Sequence, residues 1–226
     1  MCGRYRRTTK TEELARLYGV AVPAAHDVPV SWNIAPGQDV LTLRFNAETG
    51  ERSLDALRWG LVPHWAKDPK VGHRLINARS ETVDKTLSYR QAFTKRRCLI
   101  PADGFYEWQR AAGRKIPFHV QMRNGSPFTM AGVWEGWQDP VTAEWLRTCA
   151  ILTCPANEIV EQAHDRMPVI LDPEQHAAWL GEAESHFLKA FLVPYPGERM
   201  TMWETNTRVN SARENDAGLI ERQLVD

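Results

Sequence analysis

Residues 97–108 read Arg97-Cys98-Leu99-Ile100-Pro101-Ala102-Asp103-Gly104-Phe105-Tyr106-Glu107-Trp108. Two short apolar runs, 97–100 and 104–108, flank a proline and an Asp-Gly break. Runs this short, rich in aliphatic and aromatic side chains and bounded by turn formers, read as strands rather than helices. The pattern continues outward in both directions. Downstream, 117–122, 129–134 and 146–152 read as strands, with turn signals at Ala112-Gly113 and Asn124-Gly125. Upstream, 40–45 and 54–59 alternate as strands about a turn near Thr49-Gly50. Helices are few. Residues 9–17 are amphipathic, with Thr9 and Glu12 spaced as a capping box. Asp172-Pro173-Glu174 starts a second helix that runs to about Leu180, and 184–192 forms a third. Residues 22–36, with Pro23, Pro29 and Pro36, read as loop. The expectation is one α+β domain over residues 1–226: a curved, barrel-like, mainly antiparallel sheet with peripheral helices.

Composition is ordinary for a soluble globular protein, with 43% hydrophobic and 25% charged residues. No run approaches the length of a transmembrane helix, and residues 1–10 lack an apolar signal-peptide core. A cytoplasmic, nucleoid-associated location is therefore expected. Net charge is zero, but the two parts of the chain differ. Residues 1–100 carry 17 Lys/Arg against 10 Asp/Glu, and residues 101–226 carry 11 against 18. That asymmetry permits one basic face; the plainer reading is that the fold mixes the halves. The four cysteines form no CxxC pair, so neither a zinc ribbon nor a disulfide framework is indicated. Cys98 and Cys149 lie in apolar runs and read as buried, inert thiols, with Cys154 just beyond one. No metal and no organic cofactor is implied.

Four places carry possible chemistry. Removal of Met1 would expose Cys2 as the first residue, with an α-amine and a thiol on adjacent carbons. The α-amine has an ordinary pKa of about 7.7–8.0, against about 10.4 for lysine. It can form a Schiff base with an aldehyde, which the thiol then closes into a thiazolidine. The alternative is an incidental start on a frayed tail. Asn77 could orient an amine or a sugar hydroxyl, and Arg79 could fork a phosphate; equally, they are a turn asparagine and a partner for Glu81. Glu107, among apolar and aromatic neighbours, is either a desolvated carboxylate with a raised pKa or an outward-facing group on a half-buried strand. His164, beside Asp165 and Arg166, is a general acid or base, or part of a surface charge cluster. There is no serine nucleophile elbow and no HExxH.

These pieces occur in one order: Met1-Cys2-Gly3-Arg4, Trp32-Asn33-Ile34-Ala35-Pro36-Gly37, Trp59-Gly60 through Trp65, Asn77-Ala78-Arg79-Ser80-Glu81, Phe105-Tyr106-Glu107-Trp108 and His164-Asp165-Arg166-Met167-Pro168. In that order the chain resembles the SOS response-associated peptidase (SRAP) family from residue 2 to about 171, and more weakly to Val209 and Asn210. The resemblance implies a protein that crosslinks covalently to abasic sites in single-stranded DNA, through lyase-like Schiff-base chemistry. It makes Cys2 the nucleophile, with Asn77 holding its amine or the opened sugar. Glu107 would handle protons during ring opening, and His164 would shuttle them at the sugar. Arg4, Arg79 and Arg166 would clamp phosphates, while Asn33, Pro36 and Trp65 line the DNA groove and Trp65 stacks on a base. Ala66 stands where some relatives carry a second tryptophan. After Glu81 the only nearby basic residue is Lys85, and the acidic C-terminal part is expected to face away from DNA. A monomer is expected, with abasic single-stranded DNA as the partner. Two other readings remain: a thiol peptidase that removes Met1 using Cys2, His164 and Glu107, and a non-catalytic single-strand binding module.

Overall fold

The computed structural model describes residues 2–22, 28–46, 48–111, 113–181 and 185–223. Its strands are β1 (Tyr5–Arg7), β2 (Ser31–Ile34), β3 (Asp39–Asn46), β4 (Glu51–Trp59), β5 (Asn77–Arg79), β6 (Arg97–Ala102), β7 (Gly104–Ala111), β8 (Arg114–Met122), β9 (Phe128–Gln138), β10 (Trp145–Pro155), β11 (Arg166–Pro168), β12 (Ile170–Leu171) and β13 (Met200–Glu204). Strands β10, β4, β3, β6 and β9 pair in that order, and β9 pairs back to β10, closing a ring. Every step is antiparallel except β4–β10. Closure removes free edges from this part of the sheet. Leu43 shows how the core is filled: it lies opposite Leu54 on one side and Leu99 on the other, and all three are buried. The barrel-like, mainly antiparallel α+β architecture is as the sequence leads one to expect.

A second sheet, ordered β13-β8-β7-β1-β2, leans against the ring. It brings the first residues of the chain beside β7, the strand that holds Glu107. β5 pairs parallel to β10, which brings Asn77 opposite Ile151. β11 lies antiparallel to the end of β10, from Thr153 to Pro155. The site is thus assembled where β1, β5, β7 and β11 approach one another.

Several local expectations are corrected. Helix α1 spans Thr11–Tyr18, and Thr9 does not cap it. Thr9 instead gives its amide and its hydroxyl to the Asp103 carboxylate, at 2.8 and 2.5 Å. Residues 22–36 are not all loop, because 31–34 form β2; Pro23 lies outside the described residues. Arg90–Lys95 forms a short helix, α2, that the sequence pattern did not announce. At Asp172 the chain makes a 3-10 turn over Pro173–Gln175 before α3 (His176–Leu180). The third helix is α4 (Ser185–Leu188) followed by a 3-10 turn, with Glu184 outside the described residues. Ala112 of the expected turn also lies outside them, while Gly113 adopts φ +75°. All four cysteines are buried free thiols. Among the described residues no helix is long and apolar enough to cross a membrane.

Candidate active site

Residues at a chain terminus usually fray unless something ties them down. Here Cys2, Gly3 and Arg4 precede β1 and are held at three points. Asn77 Nδ2 donates to the Cys2 carbonyl at 2.7 Å. The Tyr106 amide donates to the Arg4 carbonyl at 3.0 Å. Arg4 Nη1 donates to Asn33 Oδ1 and to the Val209 carbonyl, each at 2.8 Å. Met1 lies outside the described residues.

Cys2 is completely buried. Burial pushes its thiol well above the ordinary cysteine range, and the nearby charge of Glu107 pushes it further. The thiol therefore rests protonated, which is a poor state for a thiolate nucleophile. Asn77 is placed by the β5–β10 pairing, and its carbonyl is bonded by the Tyr89 hydroxyl at 3.0 Å. Its Oδ1 is buried without a hydrogen-bond partner among the described residues.

Glu107 lies opposite Phe118 on β7 and is 1% exposed, so of its two sequence readings the buried one is observed. Burial raises its carboxyl to about 7. The charge of the chain's N-terminus and Lys115 oppose that rise, and Asp165 adds to it. A carboxyl poised near neutrality can give or take a proton at little cost.

His164 lies between the 3-10 turn Val160–Gln162 and β11. Its Nδ1 is 3.0 Å from the Arg166 amide and 2.8 Å from Asp165 Oδ1. One nitrogen cannot accept from an amide and donate to a carboxylate at once. The amide is fixed by β11, whereas the Asp165 side chain is 85% exposed and weakly coupled. Nδ1 is accordingly the acceptor and Nε2 carries the proton. Burial lowers the pKa of His164, the N-terminal charge lowers it further, and Asp165 opposes them. That lowering keeps the ring neutral near pH 7.

The expected DNA-contacting residues divide into two groups. Arg79 is exposed, and its carbonyl accepts from the Thr82 amide at 3.1 Å, but its guanidinium has no hydrogen-bond or ion-pair partner among the described residues. Trp65 is 49% exposed on a braced loop. That loop is held by Trp137 Nε1 on the Ala66 carbonyl at 2.7 Å and by the Val62 amide on Thr148 Oγ1 at 2.9 Å. His64 faces Glu135 at 3.4 Å beside it. Where the loop closes, Gly60 and Gly72 cross: a Cβ on Gly60, at φ +131°, would sit 2.8 Å from the Gly72 oxygen. Pro36 is half-buried after β2.

The others are committed to the protein. Asn33 does not line an open groove: it is buried, and its Nδ2 donates to the Ser211 and Glu214 carbonyls at 2.9 and 2.8 Å. Arg166 is not a free phosphate ligand. Its fork grips Glu81, with Nη2 2.9 Å from Oε2, and reaches the Thr153 carbonyl at 2.6 Å. That grip, chiefly its hydrogen bond, holds the Glu81 carboxyl down at about 2, so the suggested Arg79–Glu81 pair does not form. Arg4 has one nitrogen spent inside the protein. Within the acidic C-terminal part, residues 205–221 pack beside Arg4, with Glu214 and Asp216 bonded by Arg208. Sequence reasoning missed Tyr89 and the Ser211 and Glu214 carbonyls. Their roles arise from contacts far apart in the chain, and only the weak match at Val209 and Asn210 hinted at them.

A sequence family described as SOS response associated peptidase (SRAP) matches residues 1–212. The abasic site processing protein YoqW of Bacillus subtilis (strain 168) is 38% identical, over 98% of this chain and 99% of its own length. The abasic site processing protein HMCES of Xenopus tropicalis is 33% identical, over 75% of this chain and 57% of its own length. A crystal structure of a protein from Bacteroides thetaiotaomicron matches with a TM-score of 0.89 at 23% identity, covering 99% of this chain and 100% of that one. At that identity it shows the shared fold alone. A second, from Bordetella bronchiseptica, gives 0.78 at 28% identity, covering 91% of this chain and 100% of that one.

Proposed function

The chain belongs to the SOS response associated peptidase (SRAP) family, and from that premise we propose that it binds single-stranded DNA and traps abasic sites on Cys2 as a thiazolidine. The observation that carries this reading is the pairing of two buried groups: the thiol of Cys2, with its backbone pinned by Asn77, and a carboxyl on Glu107 poised near neutrality.

Loss of Met1 frees the Cys2 α-amine. An abasic sugar exchanges between a closed hemiacetal and an open aldehyde. Protonated Glu107 donates to the ring oxygen as the bond from that oxygen to the anomeric carbon breaks, and the anomeric hydroxyl releases its proton to water as the aldehyde forms. The amine lone pair forms a C–N bond, and the resulting carbinolamine loses one water, with the His164 Nε2 proton or Glu107 supplying the acid. Cys2 Sγ then bonds to the imine carbon while the thiol proton passes to the nitrogen. The net reaction consumes an aldehyde, an amine and a thiol and releases one water. A thiol that rests protonated suits this last step, and it weighs against a thiol peptidase, which needs a thiolate at the start. Arg79 supplies a phosphate contact and Trp65 a stacking surface.

The test uses protein with Met1 removed, verified by mass, incubated with a single-stranded oligonucleotide carrying one abasic site. A band that survives heat and denaturant is expected with the wild type and abasic DNA only. Cys2→Ala, which keeps the amine, should give no stable band yet still be trapped by borohydride. No stable band with the processed wild type would overturn the proposal.

A further inference from the structure

After β13 the chain runs back across β2 and β7 as residues 205–221. Val209 and Leu219 are buried against Tyr106, with Trp32 and Trp108 packed at their margin. The rest of the attachment is polar and directed at the start of the chain. The Val209 carbonyl accepts from Arg4, and the Ser211 and Glu214 carbonyls accept from Asn33, which itself accepts from Arg4. Asn215 Oδ1 accepts from the Trp32 amide at 2.7 Å, and Asn210 Oδ1 from Trp108 Nε1 at 2.7 Å. Arg208 closes the segment on itself by bonding Glu214 and Asp216.

From these contacts we infer that residues 205–221 form a clasp that positions Cys2, with Asn33 and Arg4 as positioning residues that set the rate of capture rather than the affinity for DNA. This rests on the thiazolidine reading above. Arg4 lies two residues from Cys2, and its carbonyl is bonded to the amide of Tyr106, the neighbour of Glu107. Any shift of Arg4 therefore displaces the aminothiol relative to Glu107 and Asn77. Misplacement of a reacting group by about 1 Å costs on the order of a hundredfold in rate. The clasp presents its carbonyls to Asn33 and Arg4, so its effect is transmitted through the protein.

Two full-chain variants test this. Asn33→Asp keeps the acceptor for Arg4 but turns both donors into an acceptor facing the Ser211 and Glu214 carbonyls. Asn215→Ala removes an exposed acceptor and leaves the core untouched. Three quantities are read: the single-turnover crosslinking rate at saturating abasic oligonucleotide, the Kd for the same oligonucleotide without the lesion, and the rate at which glyoxylate adds to the N-terminal aminothiol, by mass. The expected result is a rate at saturation lower by about tenfold or more in Asn33→Asp and by roughly threefold in Asn215→Ala. Kd should stay within about twofold, and glyoxylate addition should slow in parallel. A merely structural contact would lower the melting temperature and leave the rate of the folded fraction unchanged. Unchanged rates in the folded variants, or a loss confined to Kd, would overturn the inference. If Asn33→Asp does not fold, Asn215→Ala decides alone. If the wild type captures glyoxylate but not abasic DNA, the DNA reading fails and the glyoxylate rates still judge the clasp.

Discussion

Burial lifts the Glu107 carboxyl to about 7, so near neutrality roughly half of it holds a proton. The ordinary value is 4.5, and the two values define a window. Below 4.5 the group is protonated in both the folded and unfolded chain and does not affect stability. As pH rises from 4.5 to 7 the unfolded chain releases its proton while the folded one retains it, and the fold loses stability. Above 7 the loss is complete, roughly 3 kcal/mol at about 1.4 kcal/mol per tenfold change in proton affinity. Glu107→Gln should therefore melt higher than the wild type at pH 8.5, with the gap closing below pH 4.5, as thermal denaturation across that range would reveal. The same substitution should slow crosslinking by about a hundredfold. The wild-type rate should also lose its general-acid contribution as pH passes 7, a falling limb that Glu107→Gln lacks. A flat profile in both proteins would deny Glu107 the proton-transfer role. The sequence offered two readings of this residue, and only the neighbours brought by β8 and by the first residues of the chain distinguish them.

The loop between β4 and β5 shows how an element can depend on two residues without side chains. Gly60 and Gly72 cross so closely that an added Cβ on either would meet backbone oxygen under 3.0 Å away. Gly60→Ala also forces an L side chain into φ +131°. The expected cost is about 2–3 kcal/mol in urea denaturation. Affinity for single-stranded DNA should weaken with it, because the same loop carries Trp65; affinity unchanged by Gly60→Ala would place Trp65 outside the DNA path. The long strands β3, β4 and β6 to β10 were legible because each holds either alternating residues or a short apolar run bounded by turn formers. β1, β5, β11 and β12 were not. They span two or three residues, and Tyr5-Arg6-Arg7 reads as polar chain. Such strands exist because a longer neighbour offers a ladder, which no local window of sequence records. The site followed the same division. Cys2, Asn77, Glu107 and His164 were singled out as candidates through ordered motifs. The internal commitments of Asn33 and Arg166 were not, since their partners lie 178 to 181 and 85 residues away.

Over the whole molecule charge sums to zero, and the structure uses several of its arginines internally. Arg166, Arg208 and one nitrogen of Arg4 are bonded to protein, which leaves Arg79 as the free cation among the residues expected to meet phosphate. A short phosphate track follows, with a shallow salt dependence. Single strands give a slope of about −0.7 per neutralised phosphate, so with Arg79 alone log affinity against log salt should fall with a slope of about −0.7. Arg79→Ala should reduce that magnitude by about 0.7, measured by fluorescence anisotropy; a wild-type slope steeper than about −5 would demand a much longer track than this surface provides. The tie between Arg4 and residues 209–214 also has a consequence in time. A ribosome delivers Cys2 first and Glu214 last, and at about 5–20 residues per second the interval is of the order of ten to forty seconds. Throughout that interval the start of the nascent chain lacks the partners that later enclose it. An aminopeptidase can reach Met1 during synthesis, before the fold closes over the Cys2 side chain.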